Sequence, residues 1–581
     1  MTDIFFGTPS FPSLPARSRH RAVSLRGRLL ASVGLLMVQD GISRQPQRGA
    51  GSRRLRRAGI VGACALSSLM TGAAYANPTG GSVVAGQASI QAVTPNTLDI
   101  LQSSDRAIIN WQSFSIGAGE TVNFRQPSAA SVTLNRVVGN DPSAIFGSLT
   151  ANGTVMLVNP NGVIFGAGSR VDVGGLVATT VDISDANFMG GQYIFDKPSG
   201  IAGAAVINEG DITIGDSGLA ALVAPHVRNS GVIQARLGRV ALAGAERFTL
   251  DFHGDGLLSF DAGSAVQSAP RDADGNPVGA LVVNSGAISA DGGTVALTAR
   301  AVKGVIDTVI NTDGVIKATS VGSKDGKIVL SGGSSGSVAI SGVVDASGLG
   351  AGETGGAIVA TGETVSVGGG AVVTADGSTG GGSIAIGSAT GTRDGSWSER
   401  ASVAAGAVLS ADATETGTGG TITVLSTERT AHEGTITARG GAAAGDGGFV
   451  EVSSDQDIIL SGSIDLSAAN GKTGLFLLDP ESLRIVAAGG GSQNTAASGG
   501  TLASGAADQG TGSNVNTLSS SVLEAINSNA NIVLEATGLI SVETSLNLQT
   551  GTGNSFTLRS TGVGGQITFT NVAHEIRTNG G

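Results

Sequence analysis

The 581-residue sequence holds one cysteine, two tryptophans and two tyrosines, and aromatic residues make up only 3% of it. Charged residues are also scarce, at 14%, and there are 14 prolines. Each shortage excludes a class. So few prolines rule out a collagen-like chain. The lack of aromatics argues against an ordinary enzyme core, which Phe, Tyr and Trp usually dominate. A disordered chain would be richer in charge and poorer in Ile, Val and Leu, whereas 40% of this chain is hydrophobic and its mean hydropathy is +0.22. What is abundant is glycine. Its 93 residues are more than double the usual share of roughly 7%. The combination predicts a large protein of small and β-branched residues, built from repeated thin units.

Charge is distributed unevenly. Residues 1–76 hold eleven arginines and two acids (Asp3 and Asp40), net +9, while the remaining 505 residues hold 23 basic and 43 acidic groups, net −20. The basic block ends in Arg53-Arg54-Leu55-Arg56-Arg57, followed by an apolar run from Ala58 to Ala74 and then Ala74-Tyr75-Ala76. Arginines, a short apolar run and a small-x-small site predict an export signal over 1–76, cleaved between Ala76 and Asn77. The run is too short and glycine-broken to anchor the mature chain in a membrane. Residues 1–52 are long for such a signal. They are either an extended signal region or the product of a start placed too early, with Met37 as the alternative start. Arg53-Arg54 also leaves a twin-arginine route open. The single cysteine, Cys64, lies inside the signal, so the mature chain forms no disulfide. That suits a polypeptide threaded unfolded through a narrow pore.

The mature chain is repetitive. One unit reads Asn-x-Gly-x-Ile, at Asn208–Ile212, Asn229–Ile233 and Asn284–Ile288, with a looser copy from Asn311 to Ile316. A second series opens at Gly342, Gly370, Gly406, Gly434 and Gly462, spaced 28, 36, 28 and 28 apart, with companion glycines at Gly356, Gly382, Gly420, Gly448 and Gly474. Units this short cannot enclose their own apolar faces and must stack. Alternation as in Val-Ala-Leu turns every second side chain inward. Asparagines at one corner can then bond amide to amide from coil to coil. The fold expected is all-β: a right-handed parallel β-helix with an N-terminal capping domain, and a β-sandwich array as the alternative. At roughly 20 to 28 residues per coil and about 4.8 Å per coil, some twenty coils would form a rod of about 100 Å.

The most specific stretch lies upstream. It contains Asn110-Trp111-x-x-Phe114, Val122-Asn123-Phe124, Gln126-Pro127, Leu134-Asn135-Arg136-Val137, Ala151-Asn152-Gly153, and Asn159-Pro160-Asn161-Gly162 followed by Val163 where Ile is frequent. Over roughly 80–260 this resembles the secretion domain of filamentous haemagglutinin-type exoproteins, the TpsA family of two-partner (type Vb) secretion. The resemblance implies a periplasmic intermediate recognised by an outer-membrane β-barrel transporter of the TpsB type. Asn110, Trp111, Asn135, Asn159, Pro160, Asn161 and Gly162 would carry the secretion motif. Asn159 to Gly162 could equally be a turn that nucleates folding, and Asn110 with Trp111 a buried pair in the cap. Each coil folding outside the cell would oppose return. A second likeness is Leu475-Phe476-Leu477-Leu478-Asp479-Pro480, a segment that closes an initial block in many such exoproteins.

The expected organisation is therefore a signal over 1–76, the secretion domain over 77–260, β-helix repeats over 261–485, a flexible Gly/Ser-rich segment over 486–516, and further strands over 517–581, beginning at Ser520, in a fibre cut short. No catalytic constellation, cofactor motif or metal site emerges. Asp251-Phe252-His253-Gly254-Asp255 lacks a third ligand nearby and reads as a polar corner. Asp345, Asp376, Asp412 and Asp465 recur at repeat corners as solvated turn acids, and the mature charge of −20 opposes nucleic-acid binding. The chain reads as a non-enzymatic exoprotein of a Gram-negative bacterium, secreted or held at the cell surface through the periplasm. Three tasks are compatible with it: an adhesin meeting host cell surface or matrix, a haem- or haemoprotein-acquisition protein, and the stalk of a contact-dependent toxin.

Overall fold

The computed structural model describes residues 77–250, 265–272, 275–392, 397–487, 515–548 and 553–578, together with the backbone of the short strands Leu258–Ser259 and Ala503–Ser504. All of them fall in one unit, Thr71–Gly581. The expected signal, with Ala74 and Ala76, and the Asp251–Asp255 cluster lie outside the described residues. Asn77 is the first residue within them.

Alternating apolar residues and regularly placed glycines produce three stacks of parallel strands, visited in turn by each coil. The first stack opens with Thr97–Gln102 and Thr121–Arg125. The second opens with Arg106–Trp111 and Val132–Val137, and the third with Ser143–Ile145 and Val163–Phe165. This is the expected parallel β-helix. The second stack runs through fifteen strands without losing register, from Arg106–Trp111 to Phe556–Ser560. Those fourteen steps consume 450 residues, about 32 on average, because the steps from Val177 to Ala221, from Val240 to Val295 and from Phe476 to Ile532 take 44, 55 and 56 residues, while the other eleven take 20 to 38.

Inside, one continuous apolar core extends from Leu98 to Leu548. Ile, Val, Leu and Ala fill it, which explains the aromatic shortage in the repeats. The N-terminal end is closed by antiparallel pairing of Ser82–Ala85 with Arg106–Trp111 and of Ala88–Thr94 with Thr97–Gln102. Antiparallel strands cannot continue the coil, so they terminate it.

The Asn-x-Gly corner behaves as its chemistry requires. Asn208 Nδ2 donates to Asn229 Oδ1 at 2.8 Å, and Asn229 Nδ2 donates to Asn284 Oδ1 at 2.7 Å. All three side chains are buried. The fourth rung is Thr312, not Asn311: strand register sets Asn284 opposite Thr312, whose hydroxyl accepts from Asn284 Nδ2 at 3.4 Å. The looser copy is thus one residue out of phase, and Asn311 lies off the ladder.

Glycine is demanded sterically in two columns. In Gly210, Gly231, Gly286, Gly314 and Gly342, and again in Gly356, Gly382, Gly420, Gly448 and Gly474, a Cβ would overlap the backbone of the coil beneath. Gly370 and Gly406 do not belong to the first column. The residues in register with Gly342 and Gly434 are Ala371 and Ala407, and the two glycines precede them with φ of +89° and +83°.

Further expectations are corrected. Ser520–Asn527 is an α-helix, not a strand. Its apolar residues Val522, Leu523 and Ile526 recur at helical spacing and are buried. Residues 488–514 lie outside the described residues apart from the short strand noted above, but Asn516, placed in the Gly/Ser-rich segment, starts the strand Asn516–Ser519 and is fully buried. The corner acids are not freely solvated either. Asp412 is buried and accepts from the Arg439 amide at 2.6 Å and from its guanidinium, while Asp345 accepts from Thr374 Oγ1 at 3.1 Å on the next coil. Burial raises the Asp376 carboxyl above its ordinary range, against hydrogen bonds from Ser410 and the Asp412 amide.

Candidate functional site

The motifs of the upstream stretch meet one another in the first coils. Along Arg106–Trp111 side chains alternate, so Trp111 points into the core and Asn110 points out; they are not the buried pair expected. Trp111 is 1% exposed and stands edge-on to Phe114, with ring centroids 5.5 Å apart. Its indole N–H donates to Asn135 Oδ1 on the next coil at 3.0 Å. Asn135 is itself fully buried. A tryptophan in an apolar interior needs such a partner, which accounts for Trp111 and Asn135 lying in adjacent strands.

Gln126 and Asn152 form a second set. Asn152 Oδ1 accepts from the Gln126 amide, and Asn152 Nδ2 donates to the Gln126 carbonyl, both at 2.8 Å. The Gln126 side chain receives the Gly153 amide at 2.9 Å and donates to Thr133 Oγ1 at 3.0 Å. Thr133 in turn donates to Gln102 Oε1. On the outer face, Asn123 donates to Asp99 at 2.8 Å and accepts from Thr150 at 2.6 Å. The Asn123 bond, with Arg125 adding its hydrogen bond and charge, lowers the Asp99 carboxyl below its ordinary range against burial.

Asn159 to Gly162 turns the corner between the second and third stacks, from Ser148–Val158 to Val163–Phe165. The Gly162 amide donates to the Asn159 carbonyl at 3.0 Å, closing the turn. Asn159 is fully buried, and its Oδ1 accepts from both the amide and the side chain of Asn161 at 2.9 and 3.0 Å. Its Nδ2 reaches the preceding coil at the Asp141 carbonyl and Ser143 Oγ, both at 3.0 Å. Asn161 Nδ2 binds the Gly139 carbonyl at 3.0 Å. The Pro160 carbonyl accepts from Ser199 Oγ at 2.6 Å. At Gly162, φ is +115°, which a side chain would strain. Pro160 and Asn161 remain half-exposed.

Two features escaped sequence reasoning. The first is a small antiparallel sheet outside the helix, formed by Asp182–Ile183, Tyr193–Lys197, Phe248–Leu250 and Leu258–Ser259. Its core gathers Phe188, Tyr193, Phe195 and Phe248, with Phe195 and Phe248 stacked at 4.4 Å, over the outward face of the second stack. The second is Arg136. Its guanidinium reaches Asp182 and Asp185, each at 2.8 Å, the Ile183 carbonyl at 2.7 Å and Asn110 Oδ1 at 3.4 Å. Burial opposes its charge, but Asp182 and Asp185 outweigh it and hold the pKa above its ordinary value. Arg136 therefore pins the outer sheet to the coil. The signal available was the clustering of Phe, Tyr and Asp over 182–196, ahead of the first Asn-x-Gly-x-Ile repeat.

No group of three or more His, Cys, Asp or Glu is placed to hold a metal among the described residues, and no described helix is long and apolar enough to cross a membrane.

Comparison with known proteins agrees with this geometry. The family model of the TPS secretion domain matches residues 74–348. Two curated proteins of Haemophilus influenzae named heme/hemopexin-binding protein are 36% identical over 272 residues and 35% identical over 286 residues, each covering 45% of this chain. The chain spans only 28% and 29% of those relatives' lengths. The crystal structure of the HMW1 secretion domain from Haemophilus influenzae superposes with a TM-score of 0.57 at 29% identity, over 69% of this chain and all of that one. Residues 74–348 thus carry the TPS secretion domain of two-partner secretion, with the fold of the HMW1 secretion domain.

Proposed function

We propose that the chain crosses the outer membrane of a Gram-negative bacterium through a TpsB-type β-barrel transporter and serves, at the surface or in the medium, as a non-enzymatic adhesin. What supports this most is the family match over residues 74–348, which begins near the expected cleavage site. The turn Asn159–Gly162 folds early in this reading. It is closed by local bonds and tied to only one earlier coil, so it can form once the first coils have been laid down. The half-exposed Pro160 and Asn161 then present the turn to the transporter, while Trp111 and Asn135 hold the coils beneath it. Coil-by-coil burial of apolar surface outside the cell draws the chain outward.

A second reading, haem or haemopexin binding, is favoured by the two heme/hemopexin-binding relatives at 36% and 35% identity. Growth on haem as sole iron source separates the two tasks. The export role is tested with Asn159→Ala combined with Asn161→Ala in cells carrying the transporter. The variant should accumulate in the periplasm while the parent chain leaves it. Normal release of the variant would remove the turn from the mechanism.

A further inference from the structure

Asparagine followed by glycine is the pair at which a backbone most readily turns on its own side chain, because glycine has no Cβ to hinder its amide nitrogen from reaching the asparagine carboxamide carbon. Three such pairs lie among the described residues: Asn152-Gly153, Asn161-Gly162 and Asn470-Gly471. The fold treats them differently. The Gly153 amide donates to Gln126 Oε1 at 2.9 Å, and the Gly162 amide to the Asn159 carbonyl at 3.0 Å. Both asparagine carboxamides are also held at two points. Asn152 exchanges two bonds with the Gln126 backbone at 2.8 Å, and Asn161 Nδ2 reaches the Gly139 carbonyl and Asn159 Oδ1, both at 3.0 Å. The Gly471 amide has no acceptor among the described residues.

This third pair sits in the corner loop between Ser463–Asp465 and Leu475–Asp479, and Asn470, Gly471 and Lys472 are all exposed. The loop rests on the corner loop of the coil before it. The Gly440 amide donates to the Ser467 carbonyl at 2.9 Å, and the Gly447 amide to the Lys472 carbonyl at 2.8 Å. In the other direction, the Lys472 amide donates to Asp446 Oδ1 at 2.7 Å and Asn470 Nδ2 to the Ala442 carbonyl at 2.9 Å. Packing is tight at Gly471, where a Cβ would stand 2.0 Å from the Gly445 carbonyl oxygen. The carboxamide is thus fixed beside a backbone nitrogen that bonds nothing.

We propose that Asn470 is a self-modification site: it deamidates in the folded protein while Asn152 and Asn161 are protected, and its product loosens this loop from the coil beneath. The Gly471 nitrogen gives up its proton and attacks Asn470 Cγ. The bond from Cγ to Nδ2 breaks, and Nδ2 leaves as ammonia with a proton returned by water. Water then opens the resulting succinimide at either carbonyl, giving aspartate or isoaspartate. At Gly153 and Gly162 the same attack first requires breaking the amide's hydrogen bond and freeing the held carboxamide. The new carboxylate only accepts hydrogen bonds, so it repels the Ala442 carbonyl that Nδ2 had satisfied. Isoaspartate also adds a backbone methylene next to Gly471, where the Gly445 carbonyl leaves no room. None of these steps depends on the adhesin or export reading.

The test ages the purified, exported full-length chain at mildly alkaline pH and maps its peptides by mass spectrometry. The peptide carrying Asn470 should gain about one mass unit, at least about ten-fold faster than those carrying Asn152 or Asn161. In urea the three rates should converge, since only the fold distinguishes the pairs. Raising the pH by one unit should speed the gain about ten-fold, because the deprotonated amide is the nucleophile. Asn470→Gln, whose longer side chain misplaces the carboxamide carbon, should abolish the gain over the same period. Hydrogen exchange at the Gly447 and Lys472 amides should be about three- to ten-fold faster in the aged chain and unchanged over 421–432. No mass gain at Asn470, or equal rates at all three pairs in the folded chain, overturns the proposal. A mass gain with unchanged exchange at Gly447 and Lys472 overturns the loosening.

Discussion

Replacing Asn229 by Ala should destabilise the coils around it far more than a surface substitution on the same strand. The Asn229 carboxamide is fully buried, accepts from Asn208 Nδ2 at 2.8 Å and donates to Asn284 Oδ1 at 2.7 Å. Without it, Asn208 Nδ2 retains weaker contacts with the Gly210 and Val232 carbonyls at 3.3 and 3.5 Å, so that loss is partly made good. Asn284 Oδ1 keeps no such substitute among its side-chain bonds. One orphaned buried acceptor costs about 1–3 kcal/mol, and one weakened bond about 0.5–1.5 kcal/mol, giving about 2–4 kcal/mol. The neighbouring Arg228 pairs with Glu209 at 2.7 Å with both side chains exposed, so Arg228→Ala should cost less than about 1 kcal/mol. Stability in a solenoid is a sum of units and their interfaces, so the effect should be local. Hydrogen exchange in the exported chain should accelerate over residues 205–234 and 282–289 and leave 421–465 unchanged. Equal protection in Asn229→Ala and Arg228→Ala would refute the ladder as a source of stability.

Three other outcomes follow from the same geometry. Gly448→Ala places a methyl against the Gly420 carbonyl and should cost about 1–3 kcal/mol in urea unfolding, while Gly368→Ala, with only ordinary contacts, should stay within about 0.5 kcal/mol. His432 is fully buried in register with Val403 and Leu460, and burial lowers its pKa from 6.5 to about 4. It is neutral in the fold, so its contribution is complete above pH 6.5 and fades as pH falls towards 4, by about 3 kcal/mol at most. The difference in unfolding midpoint between His432→Leu and the parent chain should therefore change across that window, and a constant difference would contradict the assignment. Arg136→Ala leaves the Ile183 carbonyl without its side-chain donor and Asp182 with the Ile183 amide but no countercharge, and should cost about 2–4 kcal/mol, read as faster hydrogen exchange over 182–197 with little change beyond residue 280.

Much of the fold was legible because a parallel β-helix writes its geometry into spacing. Gly356, Gly382, Gly420, Gly448 and Gly474 stack in register because each lacks room for a Cβ, and Asn208, Asn229 and Asn284 repeat because each answers the amide below. Legibility failed where spacing stopped carrying information. Asn311 carries the right residue type one position out of phase, and only pairing to Asn284 identifies Thr312 as the rung. Ser520–Asn527 is helical because its apolar residues suit one helix face, a pattern too short to stand out among strands. The outer sheet over 182–259 arises from contacts distant in sequence, so nothing periodic announces it. At the candidate site the order of the motifs marked the residues. Their spacing could not show that Trp111 serves Asn135, that Gln126 serves Asn152 and Gly153, or that Asn159 spends its side chain inside its own turn.

Cell fractionation of the full chain, with and without a TpsB-type outer-membrane transporter, tests two-partner export most directly. Appearance at the surface or in the medium only when the transporter is present is the predicted result. Retention in the periplasm beside a functional cognate transporter, or release without any transporter, would contradict it.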